Sequence, residues 1–319
     1  MALSVILIII GFVLLIKGAD FLVEGSSSIA KKFHIPEIIV GLTIVSIGTS
    51  MPELFVSSTS SINGSSDMAI GNIIGSNLCN LLLILGLSTI IRPVKFQRET
   101  RLIEIPMCLL ITIIFLILCN TGLEISRVEG IFLIALFVLF ILYTVVMGIK
   151  GEKFDKDDII IEIQTENKEI SIIKSIIFII LGIIGLKIGG DLTVENATNI
   201  ARMFNVSEKI IGLTILAIGT SLPELVTSVT AAFKGNSDIA IGNIIGSNIF
   251  NILLIIGVST LISPLAYNVT YNIQMAILII ATIILSIFPV IPPKNEMSRL
   301  NGIIYLLMYI AYMVFLFIV

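Results

Sequence analysis

Two carboxylates set inside apolar segments are the residues of this 319-residue chain best placed to do chemistry. Glu53 closes the run Gly48-Thr49-Ser50-Met51-Pro52-Glu53, and Glu224 closes Gly219-Thr220-Ser221-Leu222-Pro223-Glu224. A proline within a helix removes one N–H donor and pushes away the carbonyl four residues earlier, here Gly48 or Gly219. Backbone oxygens at Gly48, Thr49 and their twins are then free for other partners. On a helix, Thr49, Ser50 and Glu53 point to one side, and likewise Thr220, Ser221 and Glu224. Carbonyls, hydroxyls and carboxylates form an all-oxygen donor set, which suits hard cations and offers softer metals neither nitrogen nor sulfur. The purely structural use of these glutamates would be ion pairs with Lys17 or Lys187, the two basic residues that also lie in apolar segments.

A second stripe accompanies each carboxylate. Asn72, Ser76 and Asn80 share one helix face, as do Asn243, Ser247 and Asn251. Ser76, Asn80, Ser247 and Asn251 are expected to line the ion site. Asn72, Asn77 and their twins Asn243 and Asn248 suit that role or interhelical hydrogen bonding equally well. Gly71 with Gly75, and Gly242 with Gly246, form small-xxx-small patterns that admit a close neighbour. His34 falls in a short basic loop, and Cys79, Cys108 and Cys119 lie in apolar stretches without metal-ligand spacing, which reads as core.

These groups occur twice because the chain repeats itself. Residues 41–94 and 212–265 align without a gap, well over half of the positions are identical, and the offset is 171 (224 minus 53). Mean hydropathy is +1.11; 56% of residues are hydrophobic and 13% charged, too little polar material to coat a soluble globule of this length. The chain belongs in a bilayer. A carboxylate in such a setting is a functional-site hypothesis by default.

About ten stretches are long enough to span, near 2–30, 37–62, 67–91, 102–119, 128–148, 173–201, 208–233, 238–262, 271–290 and 300–318. The expected fold is an all-α integral membrane protein of two five-helix repeats, 1–149 and 173–319, joined by a polar linker at 150–172. Asp20 and Glu24 of the first stretch recur as Asp191 and Glu195, so this apolar N-terminus reads as part of the repeat and not as a signal peptide. With ten spans, one side receives Arg127, Arg202 and Lys209, and the other receives fourteen lysines and arginines. The positive-inside rule then places both termini outside and the linker in the cytoplasm of a cell-membrane protein. Five spans is an odd number, so the second repeat enters from the opposite side. Inverted repeats with broken helices build a site near the midplane that can be exposed alternately to either face.

The GTSxPE element followed some twenty residues later by GNxxGSNxxN resembles the paired alpha repeats of the cation/calcium antiporter superfamily, specifically its prokaryotic sodium/calcium exchanger branch. The resemblance covers both repeats. It implies that Glu53 and Glu224 are shared ligands of Ca2+ and Na+, with the Thr49 and Thr220 carbonyls also on Ca2+. It further implies that Ser50, Ser221, Ser76 and Ser247 complete flanking Na+ sites with carbonyls at Ser46 and Ala217, and that Asn80 matches the first repeat's asparagine. Asn251 departs from many characterised exchangers, which carry aspartate there, so Na+ stoichiometry and potassium dependence stay open. The expected activity is antiport of Na+ against Ca2+, in the direction of calcium extrusion, with the ions and the lipid bilayer as partners. No cofactor, nucleic acid or obligatory protein partner is expected. Proton/calcium exchange is the alternative, although proton-coupled relatives typically carry GNxxE; a cation channel fits inverted, broken repeats less well. An enzyme is not expected, since no nucleophile–base pair or phosphate loop is evident.

Overall fold

The computed structural model describes residues 1–150, 171–204, 217–292 and 295–318. In hydrocarbon every backbone N–H and C=O must be satisfied within the chain, and apolar runs of this length therefore wind into helices. They are α1 (Ala2–Lys32), the bent pair α2 (Glu37–Thr49) and α3 (Met51–Ile62), α4 (Ser66–Ile91), α5 (Thr100–Gly122), α6 (Arg127–Ile149) and α7 (Ile172–Met203). The second half adds α8 (Ala217–Thr220), α9 (Leu222–Lys234), α10 (Ser237–Ile262), α11 (Tyr271–Val290) and α12 (Arg299–Leu316). Among the described residues eight helices qualify as membrane spans, or nine with the bent pair. The expected span at 208–233 falls partly outside the described residues, as does nearly all of the 150–172 linker.

Two short ribbons fix the topology. β1 (Val94–Lys95) pairs antiparallel with β4 (Glu296–Met297), and β2 (Glu124–Ile125) pairs with β3 (Leu265–Ala266). Paired strands lie on one side of the membrane, so an even number of crossings must separate them. Between β2 and β3 stand α6, α7 and α10, which are three; the segment carrying α8 and α9 supplies the fourth. With the bent pair α2–α3 counted as one span and the α8–α9 segment as another, each half has five crossings, and that odd number inverts the second half relative to the first. One crossing separates β1 from β2, so the two ribbons cap opposite faces, and each takes one strand from each half.

α4 and α10 form the centre, with 78% and 94% of their apolar windows buried, while α1, α6 and α12 are each 22% buried and face lipid. The halves interlock: α6 packs on the end of α10, and α12 on the end of α4. α1 lies along α7, its symmetry mate, and glycine permits the approach. A Cβ added at Gly18 would sit 2.7 Å from the Leu186 backbone nitrogen and 2.9 Å from the Gly182 carbonyl. At the centre, a Cβ at Gly242 would meet the Ile38 carbonyl at 2.6 Å, and one at Gly246 the Leu42 carbonyl at 2.7 Å. The glycine reading is therefore met on α10. On α4, Gly71 approaches only the Tyr271 hydroxyl, and no described atom comes within 4 Å of a Cβ at Gly75. Cys79, Cys108 and Cys119 are buried free thiols in the core.

Candidate functional site

Both proline-containing motifs break their helices at the same place and in the same way. Ser50 sits at φ −84°, ψ 9° and Ser221 at φ −87°, ψ 6°, each between two helices. Pro52 and Pro223 fall in the first turn of the helix that follows, where a missing N–H costs nothing. The chain bends by 48° between α2 and α3. Glu53 and Glu224 thus stand in the first turns of α3 and α9, whose exposed N–H dipoles favour negative charge. The carbonyl end of α2 at Thr49 carries the opposite partial charge and favours a cation.

The bend corrects one expectation. On an unbroken helix Ser50 would share a face with Glu53, whereas Ser50 Oγ donates to Glu224 Oε1 at 2.7 Å. Reciprocally, Ser221 Oγ donates to Glu53 Oε1 at 3.4 Å, and Ser76 Oγ donates to the same oxygen at 3.3 Å. Each carboxylate therefore takes a hydroxyl from the other repeat, Glu53 a second one from its own, and both are fully buried. Among the described residues no lysine neutralises them: Lys17 lies 3.9 Å from Asp20 and Lys187 2.7 Å from Asp191, both lysines on exposed side chains. That removes the purely structural ion-pair reading.

Five oxygens of this cluster are buried without a hydrogen-bond partner: Glu53 Oε2, Glu224 Oε2, Asn80 Oδ1, Asn251 Oδ1 and Ser247 Oγ. A buried polar atom left unpaired costs about 1–3 kcal/mol, and more when charged. Five together are a cost that folding does not demand, and all five can act as ligands to a cation. Hydrogen bonds link Ser50 with Glu224, Glu53 with Ser221 and Ser76, and Ser76 with Asn251; Asn80 reaches them through Asn248, and Ser247 lies one turn before Asn251 on α10 with its hydroxyl unpaired. Thr49 and Thr220 flank this set. Ser46 lies one turn before the break, where its carbonyl already accepts the Ser50 N–H at 3.0 Å, and Ala217 opens the short helix α8.

The remaining asparagines join helices. Thr49 Oγ1 donates to Asn243 Oδ1 at 3.1 Å, and Asn243 Nδ2 donates to Ser228 Oγ at 2.9 Å. The twin relay runs from Thr220 Oγ1 to Asn72 Oδ1 at 3.3 Å and from Asn72 Nδ2 to Ser57 Oγ at 3.0 Å. Ser57 and Ser228 were not singled out by sequence; Asn72 and Asn243, each opposite a hydroxyl, gave the signal. The twin relays differ in exposure. Thr49, Asn243 and Pro223 are buried, while Thr220, Asn72 and Pro52 are partly exposed. The site is more open toward the face of the β2–β3 ribbon, where the Tyr271 hydroxyl donates to the Asp67 carbonyl at 2.9 Å.

The family model described as sodium/calcium exchanger protein matches residues 3–146 and 174–318, both halves nearly end to end. The chain belongs to this family. It is a multi-span cation/Ca2+ exchanger. The sodium/calcium exchanger MaX1 of Methanosarcina acetivorans is 31% identical over 344 aligned positions that cover 98% of each chain. Inner membrane protein YrbG of Escherichia coli (strain K12) is 38% identical over 286, covering 88% of each. Among solved structures, the sodium-calcium exchanger NCX_Mj soaked with zero Na+ and Ca2+ superposes with a TM-score of 0.85 at 34% identity, over 99% of both chains. The exchanger described here thus shares its fold with NCX_Mj over nearly its whole length.

Proposed function

We propose that this exchanger carries Na+ one way and Ca2+ the other through alternating access, with Ca2+ extruded from the cell. The observation that carries the reading is the crossed pair, in which Glu53 and Glu224 are each held by a serine of the opposite repeat and each keep one unpartnered oxygen. With neutral Asn80 and Asn251, the two carboxylates supply two negative charges, which one Ca2+ or two Na+ balance. The same oxygens serve both ions, so occupancy by one excludes the other. Hydroxyls at Ser50, Ser76, Ser221 and Ser247 suit Na+. The unequal burial of the two relays supports a site reached from one face at a time, here the face of the β2–β3 ribbon. The charge asymmetry of the loops puts that face outside.

Calcium uptake into proteoliposomes under separately imposed Na+, H+ and K+ gradients tests this. Uptake should follow the outward Na+ gradient alone. Uptake driven by a proton gradient without Na+ would favour proton/calcium exchange, and uptake requiring no counter-ion would mean a channel. Because no third carboxylate joins the site among the described residues, transport should proceed equally with and without K+.

Topology gives a further expected result. Cysteines introduced at the N-terminus should react with impermeant reagents added outside, and cysteines introduced within 150–172 should not; the three native thiols are buried and give little background. Labelling of the linker from outside would reverse the orientation.

A further inference from the structure

An amide beside a cation can present either its oxygen or its NH2, and only the oxygen is a ligand. Asn80 and Asn251 each face this ambiguity, since turning the terminal amide by half a revolution changes the shape little. A free amide would spend part of its time with two N–H donors aimed at the ion.

We infer that Asn77 and Asn248 are positioning residues that lock the Asn251 and Asn80 amides with their oxygens toward the cations. The lock has a fixed reference, because a backbone carbonyl can only accept. Asn248 Nδ2 donates to the Asn77 carbonyl at 3.3 Å, and Asn77 Nδ2 donates to the Asn248 carbonyl at 3.3 Å. These two bonds decide which way both amides point. Asn248 Oδ1 must then meet a donor, and it receives Asn80 Nδ2 at 3.1 Å; Asn77 Oδ1 receives Asn251 Nδ2 at 2.9 Å. Flipping either lining amide would set oxygen against oxygen. Asn80 Oδ1 and Asn251 Oδ1 are left without partners in the site.

All four asparagines are at most 1% exposed, so no water relaxes the arrangement. π-helical turns begin just beyond these carbonyls, at Cys79 and Asn251, and the Asn248 carbonyl accepts the Asn251 N–H with one lone pair and the Asn77 amide with the other. The arrangement obeys the inverted symmetry, each repeat orienting the other's ligand. It rests on the reading that these two amides line the ion site.

The test is equilibrium Ca2+ binding to the purified full chain, with Na+ competition, in Asn77→Ser, Asn248→Ser and their combinations with Asn251→Asp and Asn80→Asp. A serine hydroxyl both donates and accepts, so it keeps a polar partner yet no longer dictates orientation. Each single serine variant should bind Ca2+ about tenfold more weakly, the worth of one ligand oxygen exchanged for a donor. A carboxylate presents oxygen whichever way it turns. Asn77→Ser/Asn251→Asp and Asn248→Ser/Asn80→Asp should therefore regain affinity relative to the serine variants, a rescue that a loss of packing does not give. Unchanged binding by the serine variants, or no rescue by the aspartates, overturns the lock. Asn251→Ala separates the two levels: if it binds both ions as the parent does, the amide is not a ligand and the proposal falls with that part of the site. If it weakens binding while Asn77→Ser does not, the site stands and the lock is wrong.

Discussion

Glu53→Gln and Glu224→Gln should each reduce Ca2+ exchange to background, while the protein still inserts and folds. A unit charge 4 Å away at an effective dielectric near 20 is worth about 4 kcal/mol, and about 1.4 kcal/mol is a factor of ten. A divalent ion doubles that attraction, so even after the relieved desolvation is set against it, losing one of two carboxylates costs on the order of a thousandfold or more in binding. Folding points the other way. Each glutamate is buried, neither has a cationic partner among the described residues, and each leaves one oxygen unsatisfied. Replacing a buried charge with a neutral amide relieves desolvation, so thermal unfolding in detergent without Ca2+ should come no lower than in the parent. Near-normal transport by either variant would overturn the site; a collapse in stability would return the glutamates to a structural role.

The second large effect is expected at Gly242, which carries no ligand group of its own. Its added methyl would sit 2.6 Å from the Ile38 carbonyl and 2.9 Å from the Leu42 nitrogen, both backbone atoms that cannot swing aside. Gly242→Ala must push α2 off α10, and overpacking of this kind costs about 1–3 kcal/mol. The same displacement pulls Thr49 away from Asn243, now 3.1 Å apart, and moves the carbonyl end of α2 relative to both glutamates. Exchange should fall at least tenfold and the unfolding temperature should drop. Gly122→Ala, with no described atom within 4 Å, serves as the control and should change neither. Parental exchange by Gly242→Ala would mean that the α2–α10 contact does not set the site.

Much of this was legible because it was written twice. The offset of 171, the two GTSxPE elements and the charge bias of the loops gave the repeats, the inversion and the glutamates without any coordinates. What escaped were contacts between the halves. A periodic helix predicts Ser50 beside Glu53; the backbone at Ser50 turns it to Glu224, 174 residues away, and only the docked halves reveal that partner. The two-residue strands are too short to show alternation, yet their pairing requires an even number of crossings between partners. Asn77 and Asn248 stood in the sequence as polar residues within apolar helices, which announced that they must be bonded, but their reciprocal bonds to backbone carbonyls run between the two halves, 171 residues apart, and appear only once the halves are docked.

The central claim is that one set of oxygens around Glu53 and Glu224 holds either Ca2+ or Na+. Equilibrium Ca2+ binding to the purified exchanger at a series of Na+ concentrations tests it most directly. If the account holds, Na+ displaces Ca2+ fully, and the apparent dissociation constant rises more steeply than the first power of Na+, because more than one Na+ replaces each Ca2+. Ca2+ binding that is indifferent to Na+, or that levels off with both ions bound together, would contradict it.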